Sequence, residues 1–206
     1  MISKEQIQEY FKAGQLDKII EHETEIIAQE EDDDAKQALA LAYFHSKQFE
    51  HSTPLFQKLA EKRNVSSAWF HVCTSAVAEK KFELAEEAYK KTQELVKFEK
   101  HTQHSVPVSM MGYIYMSALA DAGNYTAALP LLEKMKNNYK AIFITQDHFA
   151  ASRHLPFFSI FLLSAKTIFQ NTSDKNFASA WFNDFISGVD SDGKEKLEEL
   201  RKELGV

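Results

Sequence analysis

The residues best suited to chemistry lie between 147 and 154, directly before the most apolar stretch of the chain. Asp147, His148, Arg153 and His154 combine a carboxylate, two imidazoles and a guanidinium. In an active site, Asp147 or His148 would act as a general base, and together with His154 they would suit a metal-dependent enzyme. A buried hydrogen-bonded cluster is the more common outcome for such residues, and we expect it here.

Three other features have the residue types of reactive sites but lack the rest of the pattern. His101 and His104 would share a helix face, yet no third metal ligand is near them, which favours a polar inter-helix loop. The sequence DSDG at 190–193 is similar to the start of a calcium loop. Its glycine comes early and Lys194 occupies a ligand position, so helix capping is favoured. Cys73 lies in a small-residue position of a helical stripe, which indicates inert packing.

Motifs of well-known reaction types are missing from the sequence. It has no Gly-x-Ser-x-Gly elbow, no glycine-rich lysine loop for phosphate and no His-Glu-x-x-His helix. We therefore expect a protein that is not an enzyme and that needs no cofactor or metal.

The composition is that of an acidic, helical protein with a sizeable core. Hydrophobic residues make up 44% of the 206 residues and aromatic residues 12%, while 6 glycines and 4 prolines are few for a turn-rich β architecture. The net charge is −6, arginines are scarce, and the lysines are scattered among glutamates. Because nucleic acid binding needs a basic stripe or face, we expect no nucleic acid partner.

The chain is expected to act in the cytoplasm, away from membranes. The apolar segment 155–165 is too short to span a bilayer, and we interpret it as a buried helix with Pro156 in its first turn. The N-terminal sequence MISKEQIQEYF lacks the apolar core of a signal peptide. A single cysteine fits a reducing compartment.

Two segments of the chain, one around Phe49 and one around Phe82, repeat the same sparse pattern. Each of these phenylalanines follows an apolar stripe with helical spacing, and each precedes a small residue and then an aromatic residue at fixed distances. The pattern returns after Gly123 in the turn DAGNY. In a fainter copy of the pattern, Leu16 precedes Phe49 by the same number of residues by which Phe49 precedes Phe82. A period of this length predicts stacked helical hairpins.

This pattern resembles the tetratricopeptide repeat, whose signature is Trp-x2-Leu-Gly-x2-Tyr, then Ala-x3-Phe, then Pro. The matching segments are Trp69-x2-Val72-Cys73-x2-Ala76 with Ala85-x3-Tyr89, Lys36-x2-Leu39-Ala40-x2-Tyr43 with Ser52-x3-Phe56, and Gly112-x2-Tyr115-Met116-x2-Leu119 with Ala128-x3-Leu132. The closing proline has no counterpart in them. The resemblance covers roughly residues 3–138 and implies a right-handed solenoid of antiparallel helix pairs.

The last third of the chain does not keep the repeat. We expect residues 139–154 to form a further helix or an irregular excursion, followed by helices over 155–170 and about 175–187. A final helix would start at DSDG, carry three leucines in a narrow stripe and end at Gly205. Such a helix can cover the end of a solenoid.

The predicted fold is therefore all-α. Tetratricopeptide-like hairpins would occupy residues 1–138, and a less regular helical extension with a capping helix would occupy residues 139–206. We expect the two parts to pack as one continuous domain.

The resemblance also implies a binding surface, because the first helix of each tetratricopeptide pair lines a concave groove. The family's carboxylate-binding grooves carry Lys, Asn and Arg at these positions. This chain has none of them there and has Phe44, Phe70, Met110 and Tyr113 instead. We expect a partly aromatic groove that binds a protein or peptide, as an amphipathic helix or an extended segment. The predicted partner-binding residues are Gln37, Leu41, Phe44, His45, Phe70, Thr74, Met110, Tyr113 and Ser117.

Several alternatives stay open at this point. The chain's own last third would fill the groove as an internal plug. An acidic inhibitor or immunity protein would block a basic partner with the EEDDD segment at 30–34, although we favour capping of the next helix by Asp32 or Asp33. A sensor of hydrophobic ligands would have a pocket under the helix 155–170. The sequence leaves the partner, the pathway and the oligomeric state open.

Overall fold

The computed structural model describes residues 2–29, 31–99, 106–172 and 174–206. Within them the chain forms thirteen α-helices and no β-strand, which confirms the all-α class. Contacts within the chain group it into two compact units, Met1–Ser105 and Val106–Val206. This grouping puts the third predicted hairpin in the second unit, whereas the sequence-based division assigns it to 1–138. The packing of all parts as one continuous domain stays a prediction.

The helices follow one another with short connections. In the first unit they are α1 (Lys4–Lys12), α2 (Leu16–Glu21), α3 (Glu23–Ala28), α4 (Asp33–His45), α5 (Phe49–Arg63), α6 (Ser66–Ala78) and α7 (Phe82–Leu95). In the second unit they are α8 (Val108–Asp121), α9 (Tyr125–Ile142), α10 (Asp147–Ser152), α11 (Phe158–Gln170), α12 (Lys175–Ile186) and α13 (Ser191–Leu204). None of these helices combines the length and the apolar character that crossing a membrane would require.

Sequential helices pack as pairs in the first unit. α1 packs on α2, α4 on α5 and α6 on α7, while α4 also contacts α1, α2 and α3, and α5 contacts α6. The small side chains of Ala40, Ala76 and Ala85 are fully buried and allow the helix axes to approach closely. The α4–α5 pair thus packs against the helices before it and against the α6–α7 pair.

The turns inside four helix pairs share one backbone geometry. The second residue after each first helix is left-handed, at Gly14, Lys47, Lys80 and Gly123, with φ between 60° and 82°. The next residue's N–H donates to the carbonyl five residues earlier, with nitrogen–oxygen distances of 2.8–2.9 Å. This is the Schellman arrangement of a helix C-terminus. Gly14, Lys47 and Lys80 are evenly spaced, and their spacing equals that between Phe49 and Phe82. The turn geometry therefore recurs with the period of the sequence pattern.

Replacing the two left-handed lysines by glycine is expected to stabilise the first unit. A side chain with a Cβ atom is strained at positive φ, whereas glycine adopts this conformation freely. We expect Lys47→Gly and Lys80→Gly each to raise the free energy of unfolding by about 0.5–1 kcal/mol, measured by urea denaturation with circular dichroism. Lys91→Gly, inside α7, is the control and should lower it by about 1 kcal/mol. A loss of stability in Lys47→Gly would contradict the turn geometry.

Two helix predictions need correction. The fainter copy of the pattern at Leu16 does not continue as one helix, because the chain bends at His22 (φ −95°, ψ 13°) between α2 and α3. α11 begins at Phe158, after Pro156, and it is not fully buried. It packs against α8, α9, α10 and α13, and its free side leaves Leu163 60% exposed.

The remaining predictions for the second unit agree better with the structure. α9 continues to Ile142, and the excursion before α11 contains only the short helix α10. α12 and α13 lie where two helices are predicted. Asp190 caps α13 by accepting a hydrogen bond from the Gly193 N–H (3.0 Å), and Gly205 ends it in the left-handed conformation (φ 66°), which confirms both capping predictions.

Candidate functional site

An open groove runs between α1 and α4 in the first unit. The two helices lie side by side in the same direction. At their starts, the Lys4 Nζ pairs with carboxylate oxygens of Asp32 (3.5 Å) and Asp34 (3.7 Å). At their ends, the rings of Phe11 and His45 meet edge to face with centroids 6.1 Å apart. The groove has a volume of about 350 Å³, which is in the range of ligand-binding clefts.

The groove has an apolar interior and a polar edge. Its apolar lining residues are Ile7, which is buried, and Phe11, Ala38 and Leu41, which are half-buried. Its other lining residues are Gln8, Lys12, Asp34 and Gln37. Apolar surface that water can reach in a cleft favours binding of bulky apolar side chains, and the polar edge can orient them.

Arg63 of α5 organises the side of the groove that α4 forms. Its guanidinium donates to the Asp34 carboxylate (2.9 Å, Nη2 to Oδ1) and to the amide oxygen of Gln37. It also lies 3.9 Å (Nε to Oδ2) from Asp33, to which the Lys62 Nζ donates at 2.9 Å. The Gln37 carbonyl is therefore engaged, and its NH2 group is the part that can contact a partner.

A small cavity lies beside this network and has room for about one water molecule. Its volume is about 20 Å³, and it is lined by Gln37, Phe56, Leu59, Arg63, Ser67, Ala68 and His71. The His71 ring stacks on Phe56 with centroids 5.0 Å apart. Burial, helped by the charge of Arg63, lowers the pKa of His71, so the ring is neutral at pH 7. This cavity is too small for a ligand.

The other predicted binding residues of the first unit differ in accessibility. Phe44 is half-buried, with edge contacts to the rings of His45, Phe49 and Phe56. Phe70 is only 8% exposed. Thr74 donates from its hydroxyl to the carbonyls of Phe70 and His71, both at 3.2 Å. His45 contacts Phe11 at the end of the groove, Phe44 packs toward Phe49 and Phe56 of α5, and replacing Phe70 would also remove core packing.

In the second unit, Met110, Tyr113 and Ser117 are half-buried residues of α8. The Tyr113 hydroxyl is hydrogen-bonded to the Ser164 hydroxyl of α11 (3.2 Å). The nearby Ser109 hydroxyl donates to the carbonyl of His154 (2.6 Å). α11 therefore covers α8 at Tyr113, as the internal-plug alternative anticipates for this position.

The acidic and basic residues around α10 do not form the buried cluster expected from the sequence. Asp147 accepts a hydrogen bond from the Phe158 N–H (2.9 Å) and thus caps the start of α11. His148, Arg153 and His154 are exposed, with the Arg153 guanidinium 5.3 Å from the Phe149 ring centroid. α10 buries Ala150, and the polar residues on and after this helix stay at the surface. His101 and His104 lie outside the described residues, and the described residues contain no group of three potential metal ligands.

Comparisons of the chain with protein-family models, curated proteins and solved structures found no match.

Sequence reasoning missed the α1 side of the groove. The predicted partner-binding residues include none on α1, although Gln8, Phe11 and Lys12 line the groove. The spacing of four residues between Ile7 and Phe11, and between Gln8 and Lys12, places each pair on one helix face and was the available signal.

Proposed function

We propose that this protein is a non-enzymatic, tetratricopeptide-like adaptor that binds a protein or peptide in the groove between α1 and α4. The observation that carries the proposal is this open apolar cleft of about 350 Å³, in which Gln37 and Leu41 were predicted to contact a partner. Parallel helices with an apolar furrow between them suit the docking of an amphipathic helix. A cytoplasmic location is part of the proposal, supported by a single, buried cysteine.

The solenoid arrangement in this proposal is supported by two independent features of the helix pairs. The turns at Gly14, Lys47 and Lys80 have the same hydrogen bonds and recur at the period of the sequence pattern. In addition, α4 packs against the preceding pair as well as against α5. Contacts between neighbouring repeats are what hold solenoid proteins together.

The main contact is proposed for the first unit because its cleft is open there. Gln37 and Leu41 line the α4 side of the groove. Phe44 and His45 in the next turn of α4, and Phe70 and Thr74 of α6, are proposed to extend it. Tyr113 already has Ser164 of α11 as a partner, so we assign Met110, Tyr113 and Ser117 a secondary role.

The acidic-inhibitor alternative has less support from the structure. Asp32 caps α4 by accepting from the Ala35 N–H (3.0 Å), which confirms its predicted role. Asp33 and Asp34 form ion pairs with Lys62 and Arg63. Carboxylates already paired within the chain contribute less to attracting a basic partner.

The hydrophobic-sensor alternative also finds little support. A cavity of about 290 Å³ lies at the C-terminal end of α11 and borders α12 and α13. Phe169, Ala178 and Leu204 line it together with Asp174, Lys175 and Glu203. Burying such charges against an apolar ligand would be unfavourable.

A peptide selection tests the proposed function. Peptides of about 12 residues, long enough for about three helical turns, would be selected from a random library on the immobilised protein. We expect enriched peptides whose affinity, measured by fluorescence anisotropy, falls at least about tenfold in Leu41→Asp, because the carboxylate disrupts the apolar surface.

Leu131→Asp is the matched control, since Leu131 is also a half-buried leucine and lies on α9, outside the groove. Melting curves of both variants establish that they are folded. The proposal fails if no peptide is enriched over an unrelated helical protein, or if Leu41→Asp binds the enriched peptides as well as the unchanged protein does.

A further inference from the structure

The two ends of the groove between α1 and α4 differ in how their charges are satisfied. At the end where the helices start, Asp34 pairs with both Lys4 and Arg63. At the end where the helices finish, Lys12 is exposed and forms no ion pair within the described residues. His45, whose ring contacts those of Phe11 and Phe44, also forms no ion pair in the described part of the chain.

We propose that the groove binds a two-turn amphipathic helix whose apolar side chains fill the cleft and whose Asp or Glu side chain pairs with Lys12. This inference rests on the proposed function and adds the chemistry of the partner. Its basis is the charge pattern: one end of the groove is neutralised by the chain itself, and the other end has an unpaired cation.

The dimensions of the groove agree with this occupant. Asp34 and Leu41 are seven residues apart on α4, which corresponds to about 10 Å of helix. An amphipathic helix places apolar residues at i, i+3 or i+4, and i+7 over the same length. If the apolar residues of the bound helix contact Ile7, Ala38 and Leu41, one end of that helix lies at Lys12.

We expect the acidic residue of the partner to determine which peptides the groove prefers. The chain has a net charge of −6, so an acidic segment gains no long-range attraction and depends on short-range pairing at Lys12. An exposed ion pair of this kind is weakened by salt. The apolar contacts at Leu41 are not, and therefore the two contributions can be separated in one experiment.

The test compares peptides selected on the unchanged protein and on Lys12→Glu. All peptides are acetylated and amidated for affinity measurements, so that no terminal carboxylate can replace the side chain. We expect the first set to be enriched in Asp or Glu at one position, and the second set to lose this preference and gain Lys or Arg. Replacing the acid by Lys should weaken binding to the unchanged protein about fivefold in low salt and strengthen binding to Lys12→Glu.

Lys18→Glu makes the same charge change on α2, away from the groove lining, and should leave the acidic preference intact. Two results would overturn this inference and leave the proposed function standing. In one, the Leu41-dependent peptides show no preference for an acidic residue; in the other, peptides selected on Lys12→Glu show the same acidic preference. Absence of any Leu41-dependent peptide would overturn both.

Discussion

Asp190→Ala is expected to lower the free energy of unfolding of the second unit by about 2–4 kcal/mol. The Asp190 carboxylate accepts hydrogen bonds from the Thr145 N–H (3.1 Å), the Thr145 hydroxyl (2.6 Å) and the Gly193 N–H (3.0 Å). Thr145 is fully buried, so both of its donors lose their partner in the variant. A lost helix cap costs about 1 kcal/mol, and unsatisfied buried donors cost about 1–3 kcal/mol more.

The measurement can report on the second unit alone. The chain has two tryptophans, Trp69 in the first unit and Trp181 in the second. In a Trp69→Phe background, urea denaturation followed by fluorescence therefore monitors Trp181. If Asp190→Ala changes the free energy of unfolding by less than about 0.5 kcal/mol, as for an ordinary surface substitution, the role assigned to Asp190 is wrong.

A substitution in the adjoining turn provides a control with the opposite sign. Phe143 is left-handed (φ 65°, ψ −44°), and across it the Ile144 N–H donates to the Ile142 carbonyl at 2.7 Å. This is the strained form of the γ-turn, and the Asp190 N–H holds it by donating to the Phe143 carbonyl (3.0 Å). The Phe143 side chain is 53% exposed, so Phe143→Gly should remove strain and stabilise the unit by about 1 kcal/mol.

The same carboxylate gives the second unit a dependence on pH. Burial raises the pKa of Asp190, but the hydrogen bonds from Thr145 and Gly193 outweigh it and bring the pKa below its usual value of 3.8. A lowered folded pKa means that the stabilisation is complete above the unfolded pKa and is lost as the pH falls through the folded value. When the pH is lowered from neutral into the acid range, the free energy of unfolding of the Asp190→Ala variant should therefore fall less than that of the unchanged protein.

The sequence predicted the features that depend on neighbouring residues. The apolar spacing around Phe82 and the polar break before it mark the end of α6 and the start of α7. The helix caps at Asp32 and Asp190 could be predicted because the short side chain of aspartate can accept a hydrogen bond from a backbone N–H in the first turn of a helix. The inert, buried position of Cys73 follows from its helical stripe, and burial raises its pKa as expected for such a thiol.

The groove was harder to predict because it depends on contacts between distant segments. Lys4 and Asp34 belong to helices that are separated in the sequence by α2 and α3, and only tertiary contacts such as their ion pair show that α1 lies along α4. Tyr113 and Ser164 are likewise far apart in the sequence, and no local pattern indicates that α11 covers Tyr113. The left-handed Lys47 and Lys80 are similar cases, since lysine does not favour this conformation and the packing of the helix pair imposes it.

Asp184→Ala should also destabilise the second unit, by about 2–4 kcal/mol, because it leaves a buried charge with one partner fewer. Lys136 is only 4% exposed, and its Nζ contacts carboxylate oxygens of Asp184 and Glu133, both at 2.6 Å. Burial lowers the pKa of Lys136, but these two hydrogen bonds outweigh it, so the side chain is charged. Glu133 remains as a partner of Lys136 in the variant. The expected loss of unfolding free energy is therefore near the smallest values observed when a buried ion pair is broken.

A double substitution separates the buried charge from the lost contact. Lys136→Met keeps most of the apolar length of the side chain, which lies near Trp181 (Nζ 5.9 Å from the ring centroid). In Lys136→Met, Asp184 still has the Lys140 Nζ at 2.5 Å. If the uncompensated lysine causes the loss, Lys136→Met combined with Asp184→Ala should recover all but about 1 kcal/mol in the same fluorescence assay. If the double variant is as unstable as Asp184→Ala, then the loss comes from Asp184 itself, and Lys136 does not need a counter-charge.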